Sequence, residues 1–215
     1  MTGWMAVCGL KLRVEGMDKV EAAGGAILAA KHQSYGDGIS LVSRRADLAY
    51  VIGDHMLRFP LVGSILKSTE AVVVDNVAGR RANAVSGFGF HAGCDRLRAD
   101  QRDVLIFPEG GMSAVGRKQR YRRGVYKLYA ELDRPVFPVA TNLGLYWPEM
   151  EWVLHPGEAR VEILDPIEPG LDPSSFMRRL EDAIETRTHE LVQLGRADRA
   201  RRSKPDARSA AEDHP

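Results

Sequence analysis

Short apolar runs bounded by glycine, proline or charged turns recur along this chain, at residues 26–30, 48–52, 71–74, 104–107 and 136–140. Runs of four or five such residues, rich in valine, isoleucine and alanine, read as strands buried on both faces of a parallel sheet. Residues 10–14 and 160–164 instead alternate apolar and polar positions and read as strands with one covered face. Gly16, Met17 and Asp18 read as the turn after the first strand, and residues 165–170 as another. Between the strands the apolar spacing lengthens to a helical period. Helices are expected at 39–46, at 56–68, at 82–99 (weakened by Gly87, Gly89 and Gly93) and at 124–132. A last helix starts at a Ser174 or Ser175 cap and ends near Leu194, with Gly195 behind it. Strands alternating with helices imply an α/β fold: a single layered domain with a mixed, largely parallel sheet flanked by helices. The domain is expected over residues 1–195. Residues 196–215 are charged, alanine-rich and poor in apolar positions, the composition of a disordered tail.

A length of 215 residues suits one domain with a substantial core. The net charge of +1 and the interrupted basic runs exclude a dedicated nucleic-acid binder. Two cysteines, Cys8 and Cys94, form no disulfide framework and fit a reducing compartment. No stretch has the roughly 18 apolar residues that span a bilayer. Residues 1–10 are mildly apolar but short, and Lys11 and Arg13 follow them rather than precede them, so no signal peptide is expected.

Candidate chemistry gathers just after two of the strands. His32 and Asp37 lie in a polar, glycine-containing turn between the 26–30 strand and the next helix. A carboxylate there can fix the imidazole's tautomer and orientation, leaving the other ring nitrogen to work as a general base near neutral pH. The glycines let so short a segment fold back on itself. A second strand, 104–107, runs into Pro108, Glu109, Gly110 and Gly111. Both turns follow strand C-terminal ends, where open α/β sheets gather their sites.

These residues resemble the glycerophospholipid acyltransferases, of the lysophosphatidic acid acyltransferase type. The blocks run in that family's order: His32-x4-Asp37; residues 57–63 with 71–76; Phe107-Pro108-Glu109-Gly110; and the apolar-proline strand at 134–140. The resemblance covers about residues 10–194. It implies a glycerol-3-phosphate acyltransferase-like fold and an enzyme that moves a fatty acyl group from acyl-CoA or acyl carrier protein to the hydroxyl of lysophosphatidic acid, giving phosphatidic acid. By that analogy His32 is the general base and Asp37 orients it, with no acyl-enzyme, no cofactor and no metal. It implies a bacterial phospholipid-biosynthesis enzyme that works at a membrane surface, peripheral or monotopic on the cytoplasmic face of the inner membrane. It also leaves two ways to read the chain's start at Gly9-Leu10: a start placed too late, or docking without a long anchor.

In that family the Phe-Pro-Glu-Gly block belongs to the acceptor side, so Glu109, Gly110 and Gly111 are expected to bind substrate. Two usual family residues are replaced: Gly111 and Met112 stand where threonine and arginine are common, and Asn76 stands where arginine is common. Phosphate recognition favours arginine's planar fork. Arg80, Arg81, Arg117 and Lys118 are the candidate replacements. Arg117 and Lys118 open the segment 117–127, which has six basic residues and no acidic one. That segment reads either as a solvated helix-start face or as an anion site. Residues 56–68 read as a core helix or as an apolar face toward membrane or acyl chain. Tyr146 and Trp147, in a stretch like one in bacterial family members, read as core or as a lipid-interface border. The missing arginines keep a second acceptor open, another lysolipid or a lyso-aminolipid. An inactive acyl- or lipid-binding relative is the reading from a different class. Without a serine or cysteine elbow, a hydrolase is disfavoured.

Overall fold

The computed structural model describes residues 8–53, 72–74, 90–149 and 153–202. Seven strands form one sheet: β1 (Leu10–Glu15), β2 (Ile27–Ala30), β3 (Ala49–Gly53), β4 (Val72–Val74), β5 (Val104–Ile106), β6 (Val136–Thr141) and β7 (Gly157–Ile163). Their order is β1-β7-β6-β2-β5-β3-β4. Every neighbouring pair is parallel except β6 and β7. The sheet is therefore mixed and largely parallel, as the alternation of strands and helices implied.

Among the described residues the helices are α1 (Met17–Ala23), α2 (Gly36–Val42), α3 (Phe90–Ala99), α4 (Gly124–Leu132) and α5 (Pro173–Arg202), with a 3-10 turn at Leu143–Leu145. Strand geometry sends successive side chains to opposite faces, and β2 shows how this builds three layers. Ile27 and Ala29 pack into one core with Leu97 of α3, Leu128 of α4 and Leu180 of α5. Leu28 and Ala30 pack into the other with Val20 of α1 and Leu41 of α2. β2 is buried on both faces and sits between β5 and β6 at the sheet's centre. The turns that leave β2 and β5 are thus neighbours along one sheet edge.

Three local expectations are corrected. Residues 17–23 form a helix rather than a turn; it buries only Val20, too little for an apolar stripe to show in the sequence. The last helix is capped by Asp172 rather than Ser174 or Ser175. Asp172 Oδ1 accepts the backbone N–H of Ser174 at 2.9 Å and of Ser175 at 3.1 Å, and Pro173 takes the first helical position. That helix also continues to Arg202, so residues 196–202 are not a disordered tail. Gly195 is buried mid-helix, where an added Cβ would stand 2.7 Å from Leu145 Cδ1 and 2.9 Å from the Tyr146 hydroxyl. It permits a close approach instead of ending the helix. One turn on, Arg199 donates to the Leu145 carbonyl at 2.8 Å. The expected helix at 56–68, the middle block apart from Val72–Val74, Asn76, Arg80, Arg81, and residues 203–215 lie outside the described residues.

Candidate active site

β2 delivers His32 two residues past its end, and the first turn of α2 delivers Asp37. His32 Nδ1 and Asp37 Oδ2 are 3.3 Å apart. The same oxygen accepts the backbone N–H of Gln33 at 2.6 Å and of Ser34 at 2.7 Å. Asp37 therefore ties its own turn closed while facing the imidazole. Its other oxygen, Oδ1, is buried without a hydrogen-bond partner among the described residues. Burial pushes the Asp37 carboxyl above its ordinary range, and the contacts with His32, Gln33 and Ser34 pull it back down. Gly36, beside it, packs against Leu143 and Trp147; a Cβ would stand 2.7 Å from Leu143 Cδ2.

The His32 ring is held on its other side as well. It stacks on Phe107, with centroids 3.9 Å apart and planes inclined by 16°. In the tautomer that donates Nδ1–H to Asp37, Nε2 carries a lone pair that can receive a proton. The side chain is 19% exposed. An imidazole and a carboxylate in this arrangement can work as a base and its orienter.

The turn after β5 grips the main chain of His32. Glu109 Oε1 accepts the His32 N–H at 3.2 Å, and the Ser113 N–H donates to the His32 carbonyl at 2.8 Å. Glu109 Oε2 accepts from Ser113 Oγ at 2.7 Å and from Lys31 Nζ at 3.2 Å. The Glu109 side chain has no exposed surface. Its carboxylate is thus turned inward, toward the loop that carries His32, rather than out to an acceptor. Lys31 is equally buried and also meets Glu185 of α5 at 2.7 Å, which in turn accepts the Tyr121 hydroxyl at 2.9 Å.

The other expected binding residues lie around this turn. Gly110 takes a left-handed φ of 72°, and a Cβ there would overlap the Arg122 side chain. Arg122 Nε donates to the Glu109 carbonyl at 3.3 Å, and the Arg122 N–H to the Pro108 carbonyl at 2.7 Å. Nothing stands within 4 Å of where a Gly111 Cβ would be. Lys118 is engaged by Glu181 at 2.6 Å, whereas Arg117 is exposed and offers its carbonyl to Lys31 at 3.5 Å. Sequence reasoning missed Lys31, Phe107 as a ring partner, Ser113 and Glu185, and held Arg122 only as part of the basic segment 117–127. Arg122 alone left a usable signal, the Tyr121-Arg122-Arg123-Gly124 stretch before α4.

A model of the family described as acyltransferase matches residues 11–142. A 1-acyl-sn-glycerol-3-phosphate acyltransferase of Pseudomonas aeruginosa is 30% identical over 158 residues, covering 73% of this chain and 59% of that protein. A chloroplastic 1-acyl-sn-glycerol-3-phosphate acyltransferase of Arabidopsis thaliana is 24% identical over 160 residues, covering 73% of this chain and 44% of that one. The chain thus spans about half the length of these relatives. In structure it is similar to the crystal structure of the 1-acyl-sn-glycerophosphate (LPA) acyltransferase PlsC from Thermotoga maritima, with a TM-score of 0.69 at 18% identity over 87% of this chain and 74% of that one. That likeness establishes the fold.

Proposed function

The chain belongs to the acyltransferase family, and from that premise we propose that it moves a fatty acyl group from a thioester, on coenzyme A or acyl carrier protein, to the hydroxyl of lysophosphatidic acid. The observation that carries this reading is the His32–Asp37 contact at 3.3 Å, with the imidazole stacked on Phe107 and partly exposed. The acceptor hydroxyl loses its proton to His32 Nε2 as its oxygen attacks the thioester carbonyl. Asp37 stabilises the imidazolium that forms. The tetrahedral intermediate collapses by breaking the C–S bond, and the imidazolium returns the proton to the departing sulfur, giving a free thiol and phosphatidic acid. His32 and Asp37 are the residues this step uses, and neither the oxygen nor the sulfur has to bond to the protein.

Glu109 supports this chemistry from below, by fixing the main chain of His32. Arg122 is the group assigned in this reading to the acceptor phosphate. It is exposed, it pairs with no carboxylate among the described residues, and its side chain is seated against Gly110. Arg117 is the second candidate at the same edge. A guanidinium held by one backbone contact keeps its remaining donors for phosphate oxygens. The work surface is a membrane that carries the lysolipid. Docking at one leaflet is the mode proposed; no helix among the described residues is long and apolar enough to cross a bilayer.

Gly111 and Met112, small and apolar where the family commonly has threonine and arginine, favour a second reading: the same transfer onto a lysolipid without a glycerol phosphate. An acceptor panel separates the two. Purified protein in detergent, given a long-chain acyl thioester, is expected to make phosphatidic acid from lysophosphatidic acid and little product from neutral or amino-linked acceptors. Product only from phosphate-free acceptors transfers the function to the second reading.

A further inference from the structure

We infer that Lys31 and Glu185 are positioning residues for His32, forming with Glu109 and Tyr121 a largely buried link that lets the last helix set the seat of the base. The inference rests on the reading of His32 as that base.

Lys31 is 1% exposed, although lysine is among the residues least often buried. Its ammonium lies 2.7 Å from Glu185 Oε1 and 3.2 Å from Glu109 Oε2. The Tyr121 hydroxyl donates to the same Glu185 oxygen at 2.9 Å. Burial and the neighbouring carboxylates push the Tyr121 phenol far up, so it stays a donor. Each carboxylate is therefore spoken for: Glu185 by Lys31 and Tyr121, Glu109 by Lys31, Ser113 and the His32 N–H. A satisfied network of this kind holds one arrangement, because any displacement leaves a buried charge unpaired.

The route from helix to base is short. Glu185 sits on α5 next to Ile184, which is fully buried in the core under β2. Lys31 is the residue before His32. Its own N–H donates to the Val139 carbonyl of β6 at 3.0 Å, so the strand end is fixed while the Lys31 side chain reaches α5. Removing Glu185 leaves Glu109 as the sole carboxylate on Lys31. The ammonium and Glu109 then shift together, and Glu109 carries the His32 N–H with it. A sub-ångström shift of the base matters to proton transfer and much less to substrate binding.

The test is steady-state kinetics of Glu185→Ala, Glu185→Gln and Tyr121→Phe, beside Phe176→Leu and His32→Ala, with thermal unfolding of each. Phe176→Leu loosens the same helix in the core without touching the link. Glu185→Ala is expected to lose about ten- to a hundredfold in kcat with KM for both substrates within about twofold of the parent. Glu185→Gln, which still accepts from Lys31 and Tyr121, restores most of that, and Tyr121→Phe loses less than Glu185→Ala. Unchanged kcat in folded Glu185→Ala, or an equal kcat loss in Phe176→Leu at the same fall in Tm, overturns the inference while leaving His32 as base. If His32→Ala keeps its activity, the reading of the base falls and the inference with it.

Discussion

The backbone N–H of His32 donates to Glu109 Oε1 at 3.2 Å, across 77 residues of sequence. This bond makes the two sequence blocks one device. β2 and β5 are parallel neighbours in the sheet, so the turns beyond them emerge side by side. Phe107 then stacks on the imidazole, while Glu109 and Ser113 hold the main chain that carries it.

Replacing Asp37 with asparagine is expected to separate stability from activity. Burial raises the Asp37 carboxyl above its ordinary value, so the ionised form is disfavoured in the folded state. For such a group the favourable contribution is present below the unfolded pKa and is lost as pH rises through the folded one. At pH 7 the ionised side chain therefore costs stability. Asp37→Asn should be at least as stable as the parent there, with the difference shrinking in acid, while kcat falls about a hundredfold or more through loss of tautomer control. Melting curves from pH 4 to pH 8 beside kcat values check this; a variant clearly less stable at neutral pH contradicts it.

Glu109→Ala should act on folding and on kcat together. It removes one of two carboxylates from a buried lysine, takes the acceptor from the His32 N–H, and leaves Ser113 Oγ only its 3.4 Å bond to the His32 carbonyl. Breaking a buried pair of this kind costs about 3–5 kcal/mol. Urea unfolding measures it. A loss below about 1 kcal/mol with a selective rise in acceptor KM would show that the carboxylate meets the acceptor directly.

Arg122→Ala should raise KM for lysophosphatidic acid by about tenfold, the size of one charge-assisted contact of roughly 1.5 kcal/mol. KM for the thioester should hold, and Arg122→Lys should recover only part of the loss. An unchanged acceptor KM moves phosphate recognition to other residues.

Gly195→Ala should destabilise the fold, although alanine is the better helix former. Its Cβ would crowd Leu145, the Tyr146 hydroxyl and, at 3.0 Å, Asn142 Nδ2. Overpacking costs about 1–3 kcal/mol. A rise in Tm would show that this contact yields.

The dyad and the strand-end turns were legible because they are local: five residues separate His32 from Asp37, and apolar runs announce the strands. Glu109 was legible as a site residue, yet not its inward direction, since the partner that turns it, Lys31, lies 78 residues away. Glu185 was invisible for the same reason: it reads as one more charge on a helix until α5 is packed under β2. Gly195 misled because a glycine after an apolar stripe has two meanings, a stop or a close approach, and only packing chooses between them. Asp172 took the cap from Ser174 because Pro173, with no N–H to satisfy, suits the first helical position.

The central claim is that His32 takes the acceptor's proton, and the most direct measurement is thiol release from long-chain acyl-CoA or acyl carrier protein, with lysophosphatidic acid present, by the parent and by folded His32→Ala. The account predicts acceptor-dependent release by the parent and a loss of at least about a hundredfold in the variant, in kcat. Release by His32→Ala at near-parent rates, in protein with an unchanged melting curve, would contradict it.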